Sequence, residues 1–134
     1  MIGVLLVTHG EIGTALLASA SQILGGAPQQ VATLSVWRQD DPDDLVLRAN
    51  ELLEQIDAGD GVLVLTDIFG ATPGNAISRL LDDGHVEGVS GLSLPMLLRV
   101  LTGRNGNLSA AVQRALSGGA EGLVHMNTDR CLDA

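Results

Sequence analysis

Ile2-Gly3-Val4-Leu5-Leu6-Val7 carries no polar side chain, and Val62-Leu63-Val64-Leu65 repeats the pattern later in the chain. Neither run alternates with polar residues, so neither suits a sheet with one face in water. Each predicts a strand covered on both faces, the habit of parallel sheets flanked by helices. Between the two runs the period changes to a helical one. From Gly13, the residues Leu16, Ala20, Ile23 and Leu24 share one face, and Gly25-Gly26 with Pro28 end that helix. Val31 to Val36 reads as a second strand. Asp40 and Asp41 are N-cap candidates before Pro42, and Leu45, Ala49, Leu52, Leu53 and Ile56 form the apolar stripe of a second helix.

Beyond the Gly59-Asp60-Gly61 turn and the third strand, Thr72-Pro73 reads as an N-cap and first residue of a helix running through Leu81. Val86 to Leu92 reads as a fourth strand. A short helix carries Leu94, Leu97, Leu98 and Leu101, and a longer one carries Leu108, Ala111, Val112, Ala115 and Leu116 ahead of Gly118-Gly119. Leu123 to Met126 reads as a short fifth strand. Strands alternating with helices predict an α/β class: a doubly wound, mainly parallel sheet in the order 2-1-3-4, with helices on both faces. A length of 134 residues without repeat or linker predicts a single domain over 1–134.

In that order strands one and three are neighbours whose connections wind in opposite directions, which opens a crevice at their carboxyl ends, where ligands of such sheets bind. Strand one ends in Thr8-His9-Gly10 and strand three in Thr66-Asp67, followed by Ile68-Phe69-Gly70-Ala71-Thr72-Pro73. An imidazole and a carboxylate are thus expected to face each other. A carboxylate bonded to one ring nitrogen fixes the tautomer and leaves the other nitrogen free as a nucleophile or base. Gly10 and Gly70 allow close backbone approach, and a helix starting near Pro73 offers N–H groups to an anion such as phosphate. The alternative is structural: His9 ends a strand and bonds a carbonyl, Asp67 forms a turn, and Thr72 is only an N-cap. His85, in a loop, and His125, on the last strand, read as surface or packing residues. Trp37-Arg38-Gln39 is a candidate partner contact at the same rim.

Composition narrows the chemistry. A net charge of −9 disfavours nucleic acid as a partner. All seven basic residues are Arg, so there is no lysine for a P-loop or a Schiff base. One cysteine, Cys131, and three scattered histidines give no metal-ligand spacing, and no cofactor motif is present. The expectation is a cytoplasmic protein without membrane insertion, since no basic leader precedes the first apolar run and no run is long enough to cross a bilayer.

Three phosphate chemistries fit a histidine and an aspartate at strand ends. A receiver domain needs an acidic pair after strand one and a lysine, and the chain has neither. A histidine phosphatase begins Arg-His-Gly-Glu, and Thr8-His9-Gly10-Glu11 lacks the phosphate-gripping arginine. A phosphohistidine carrier needs only an oriented imidazole and an anion pocket. A small phosphatase and a binding module whose His9 never turns over stay open beside it.

Val7-Thr8-His9-Gly10, the segment Thr66 to Ala76, and Gly88-Val89-Ser90-Gly91-Leu92-Ser93-Leu94-Pro95-Met96-Leu97 follow one another along almost the whole chain. In these three motifs the sequence resembles the mannose-type IIA components (EIIA-Man family) of the bacterial phosphoenolpyruvate-dependent sugar phosphotransferase system (PTS). The resemblance implies a phosphotransferase in which His9 takes phosphate from the phosphorylated histidine-containing carrier protein (HPr). It would pass it to a separate IIB component for sugar uptake, or act as a regulator. Asp67 would orient His9, and Thr72, with the backbone at Gly70 and Ala71, would hold the phosphoryl oxygens. The same resemblance implies a homodimer exchanging an antiparallel fifth strand. On physical grounds, Leu123 to Met126 is a short edge strand that gains by crossing to a neighbour, with Gly118-Gly119 as the hinge, while a monomer closing its own sheet stays open.

Overall fold

The computed structural model describes residues 1–70 and 72–129. Its parallel sheet holds β1 (Gly3–His9), β2 (Val31–Val36), β3 (Val62–Thr66) and β4 (Val86–Ser90) in the order β2-β1-β3-β4. The helices are α1 (Ile12–Leu24), α2 (Pro42–Ile56), α3 (Thr72–Ser78), α4 (Leu94–Leu101), α5 (Leu108–Glu121) and α6 (Met126–Asp129). The expected α/β class, strand order and flanking helix layers are thus those observed.

Alternation along the two apolar runs explains why they carry no polar residue. Leu5 and Val7 of β1, with Val62 and Val64 of β3, join the core under Leu45, Ala49, Leu53 and Ile56 of α2. Ile2, Val4 and Leu6, with Leu63 and Leu65, join a second core that includes Ala20 of α1, Leu97 and Val100 of α4, and Ala111 and Ala115 of α5. Each strand side chain has a helix layer over it, on one face or the other. Helix α2 starts as the sequence indicates: Pro42 is its first residue, and the Asp41 carboxylate accepts from the N–H of Asp43 at 3.2 Å.

Other expectations need correction. Helix α3 ends at Ser78, and the chain continues through Leu80 in tight turns rather than in helix to Leu81. Strand β4 ends at Ser90 because Gly91 takes φ +86°. Ile23 and Leu24 are exposed, lying in the last turn of α1 just before the left-handed Gly25. In α4 the fully covered face is Met96, Leu97 and Val100, since that helix packs against α1 and α5 as well as the sheet, and Leu94, Leu98 and Leu101 are only partly buried.

No fifth strand forms among the described residues. Helix α5 runs straight through Gly118-Gly119 to Glu121. These glycines are close-packing positions and not a hinge: a Cβ on Gly118 would lie 2.7 Å from Cβ of Arg99, and one on Gly119 2.9 Å from the Met96 methyl. The chain leaves α5 pressed against α4. Leu123, Val124 and His125 have no regular structure, and Met126–Asp129 is a helical turn. Leu123 and Met126 are 86% and 77% exposed, so the apolar character that suggested a strand is turned to solvent.

Arg104 ties the amino-terminal end of the sheet together. Its buried guanidinium donates to the carbonyls of Ile2 and Gln29 at 3.3 and 2.7 Å.

Candidate functional site

At the carboxyl end of β1, Gly10 keeps the chain on β2 for one residue more, donating to the Val36 carbonyl at 2.9 Å, and then turns it with φ +49°. Buried Thr8 fixes where α1 departs: its Oγ1 accepts from the N–H of Gly13 at 2.8 Å. A Cβ on Gly13 would stand 2.9 Å from that oxygen, so only glycine lets the helix start this close. His9 is held between these two fixtures, at the mouth of the sheet, with the amino-terminal end of α1 beside it.

Asp67 arrives from β3. Its Oδ2 lies 3.0 Å from Nδ1 of His9 and also accepts from the backbone N–H of His9 at 3.1 Å. Its Oδ1 accepts from the N–H of Ile68 at 3.0 Å and from the Thr66 hydroxyl at 3.4 Å. Both carboxylate oxygens are engaged, two of the bonds holding ring and backbone of the same histidine. Burial opposes the charge on Asp67, but the bonds from the His9 ring and backbone outweigh it, and its pKa falls below the ordinary 3.8. An ionised carboxylate only accepts, so Nδ1 carries the proton of the neutral ring and the lone pair falls to Nε2. The carboxylate is 13% exposed and the imidazole 44%. A part-buried carboxylate thus presents a half-open ring.

Of the expected phosphate-binding residues, Gly10 adjoins the ring, and Gly70 turns the β3–α3 connection with φ +90° and open space where a side chain would stand. Thr72 is the first residue of α3. Ala71 and the Thr72 side chain lie outside the described residues. Trp37 comes nearer than the sequence indicated: a Cβ on Gly10 would meet its indole at 3.5 Å. Its turn is closed by Asp40, whose Oδ2 accepts from the Trp37 N–H at 2.8 Å while its own N–H donates to the Trp37 carbonyl at 3.0 Å. The sequence offered no signal for that contact beyond the end of β2.

The other histidines stand apart. Nε2 of His85 pairs with Oδ2 of Asp57 at 2.8 Å at the opposite end of the sheet, and His125 is exposed and bonds Thr128. Among the described residues no three His, Cys, Asp or Glu side chains gather as metal ligands, and no helix is long and apolar enough to cross a membrane.

Residues 3–116 match the family model described as the PTS system fructose IIA component, EIIA-man. The chain is 32% identical over 125 residues to the PTS system mannose-specific EIIAB component of Escherichia coli, covering 91% of this chain but only 38% of that protein. It is 30% identical over 137 residues to the PTS system fructose-specific EIIA component of Bacillus subtilis, covering 96% of this chain and 93% of the relative. The crystal structure of the phosphotransferase system component EIIA from Streptococcus agalactiae superposes with a TM-score of 0.84 at 26% identity, covering 96% of this chain and 99% of that one.

Proposed function

This chain belongs to the EIIA-man family of the sugar phosphotransferase system, and on that premise we propose that it is a phosphoryl carrier whose Nε2 on His9 is the acceptor. The observation that carries the reading is the 3.0 Å contact between Nδ1 and Asp67, which leaves the outward nitrogen as the nucleophile. In the proposed step the Nε2 lone pair attacks phosphorus in line, and the phosphorus–nitrogen bond of the donor, phosphorylated HPr, breaks. The donor ring, protonated on its other nitrogen, leaves as neutral imidazole. Phosphorylated His9 keeps its proton on Nδ1 and becomes cationic, and Asp67 offsets that charge through a hydrogen bond worth about 1.5 to 3 kcal/mol.

The amino-terminal end of α1 favours the bound anion by about 0.3 to 1 kcal/mol. Gly10 and Gly70, with Ala71 and Thr72, form the proposed cradle for the phosphoryl oxygens. Terms of this size suit a group that is passed on, and a separate IIB component is the proposed recipient, in the cytoplasm. Thr8 favours a carrier over a phosphatase: it stands where a histidine phosphatase has its arginine, and its hydroxyl is engaged by Gly13.

The test is incubation with phosphoenolpyruvate, the first enzyme of the system and HPr. Stable, acid-labile label on the chain supports the carrier. Release of inorganic phosphate points to hydrolysis, and absence of label to a binding module.

A homodimer belongs to the same proposal. Leu116 in α5 and Leu123, Val124 and Met126 after it are exposed, and Leu116 and Leu123 border a groove of about 350 Å³ with Pro95 and Met96. That apolar surface supports self-association. Sedimentation at micromolar concentration is expected to give a dimer, and a 13.8 kDa species overturns it.

A further inference from the structure

The chain contains one Trp, one Phe and no Tyr. Ordinary folding would place such residues in the core, where aromatics bury the most area per side chain. Here both are outside: Trp37 is 48% exposed and Phe69 71%. Both also stand at the mouth of the sheet. Trp37 follows β2 and Phe69 comes shortly after β3, and these strands lie on either side of β1, which ends in His9. Neighbouring strands are about 4.8 Å apart, so the ends of β2 and β3 that carry the two aromatics stand roughly 10 Å apart, with the end of β1 and His9 between them. Exposed Ile68 shares the connection of Phe69, and exposed Ile12 opens α1 just after His9.

Trp37 is held in advance. Its turn is closed in both directions by Asp40, the Arg48 guanidinium lies 3.6 Å from the same carboxylate, and the indole lies against Gly10. An exposed aromatic fixed before anything binds loses little freedom on binding, the character of an interface anchor. A span of this width exceeds what a phosphoryl group touches, so the rim is suited to a macromolecule.

We propose that Trp37, with Phe69 across the site, is the docking anchor for the protein that delivers the phosphoryl group, and that it governs recognition rather than the chemistry at His9. The inference rests on the reading of His9 as acceptor. The occupant is a protein surface with a phosphohistidine ringed by apolar residues and edged by basic ones. Exposed Glu11 and Asp41 lie just beyond the rim and the whole chain carries −9, so a basic margin is complementary.

The experiment compares two phosphoryl donors on the full chain. Phosphorylated HPr must dock; phosphoramidate is a small donor whose phosphorus–nitrogen bond breaks, transferring the phosphoryl group to Nε2 and releasing ammonia. Trp37→Ala is expected to raise KM for phosphorylated HPr about 10- to 30-fold, the range of an aromatic anchor, with kcat within about twofold. Its labelling by phosphoramidate should match the wild type, which also shows that the variant folds. Phe69→Ala should behave likewise with a smaller KM change, and Trp37→Phe should recover part of the loss. A fall in kcat at unchanged KM, or slower labelling by phosphoramidate, overturns the proposal by placing the indole in the chemistry. An unchanged KM overturns it too. If wild-type His9 is labelled by neither donor, the reading beneath it fails instead.

Discussion

The chain builds the same chemical pair twice, at opposite ends of one sheet. His9 meets Asp67 at 3.0 Å at the carboxyl ends of the strands, and His85 meets Asp57 at 2.8 Å at the amino ends. In each, the aspartate also accepts backbone N–H groups and has a lowered pKa. For Asp57 the bond from Gly59 is the main cause, with His85 adding to it. What differs is the setting. Asp57 caps the carboxyl end of α2, where unpaired carbonyls give a negative pole, and Glu54 and Asp82 line the same hollow. A phosphoryl group would be repelled there. His9 has the positive pole of α1 beside it and uses Nδ1 for its carboxylate, leaving Nε2 outward, whereas His85 spends Nε2 on Asp57. A histidine–aspartate contact is therefore a weak sign of function by itself; which pole it faces and which nitrogen it leaves free decide the matter.

The strongest way to break this contrast is to remove each imidazole. His9→Ala should abolish labelling from phosphoenolpyruvate while the circular dichroism stays that of the wild type, because the half-exposed ring adds little to either core. Labelling that survives in His9→Ala and disappears in His85→Ala would reverse the two roles.

Next in size is the anchor. Asp67→Ala leaves the ring free to choose tautomer and pose, and single-turnover transfer from phosphorylated HPr should slow roughly 10²- to 10⁴-fold. Undiminished transfer would show that the carboxylate serves the loop and not the ring. A melting curve taken alongside separates loss of orientation from loss of fold, since Asp67 also holds the Ile68 N–H.

Acid should treat the two pairs alike as structure. Both aspartates have folded values below the ordinary 3.8, so on acidification the unfolded chain takes up these protons first. The stability they contribute is complete above that value and is lost as pH falls through the lower folded one. Urea unfolding of Asp67→Asn and Asp57→Asn should show each variant weaker than wild type at neutral pH and converging with it in strong acid. A gap that persists in acid would mean that the asparagines act through packing instead.

The smallest effect is expected at the far pair. His85→Ala breaks a half-exposed contact worth about 0 to 1 kcal/mol and should lower the melting temperature by no more than about 4 °C. Its rate of phosphorylation should stay within about twofold of wild type. A large rate loss would tie the two ends of the sheet together.

Why one pair was legible in the sequence and other features were not follows from what each rests on. Val4-Leu5-Leu6-Val7 can only be a doubly covered strand, and the crossover rules then bring His9 beside Asp67 without any contact being known. Trp37 depended on the Asp40 turn, a local hydrogen-bond pattern that many Asp-containing loops could form. Nothing in the neighbours of Arg104 announces that it reaches the carbonyls of Ile2 and Gln29. Gly118-Gly119 misled for a different reason. Glycine serves both to bend a chain and to let helices touch, and only the position of Arg99 on α4 decides between them. With the bend gone, the strand expected after it had no route to an edge.

His9 and Asp67 are 58 residues apart in sequence. They meet only after β1 and β3 have paired in parallel, with α1, β2 and α2 already wound between them. Contacts of such long range form late and slowly compared with a single helix or hairpin. Under the proposed function, a chain still emerging or partly collapsed has a histidine but no oriented acceptor, and competence for phosphate would double as a certificate of completed topology. Incomplete copies would not drain phosphoryl groups from the donor pool, and the time at which a refolding chain first takes label would clock the closure of its sheet.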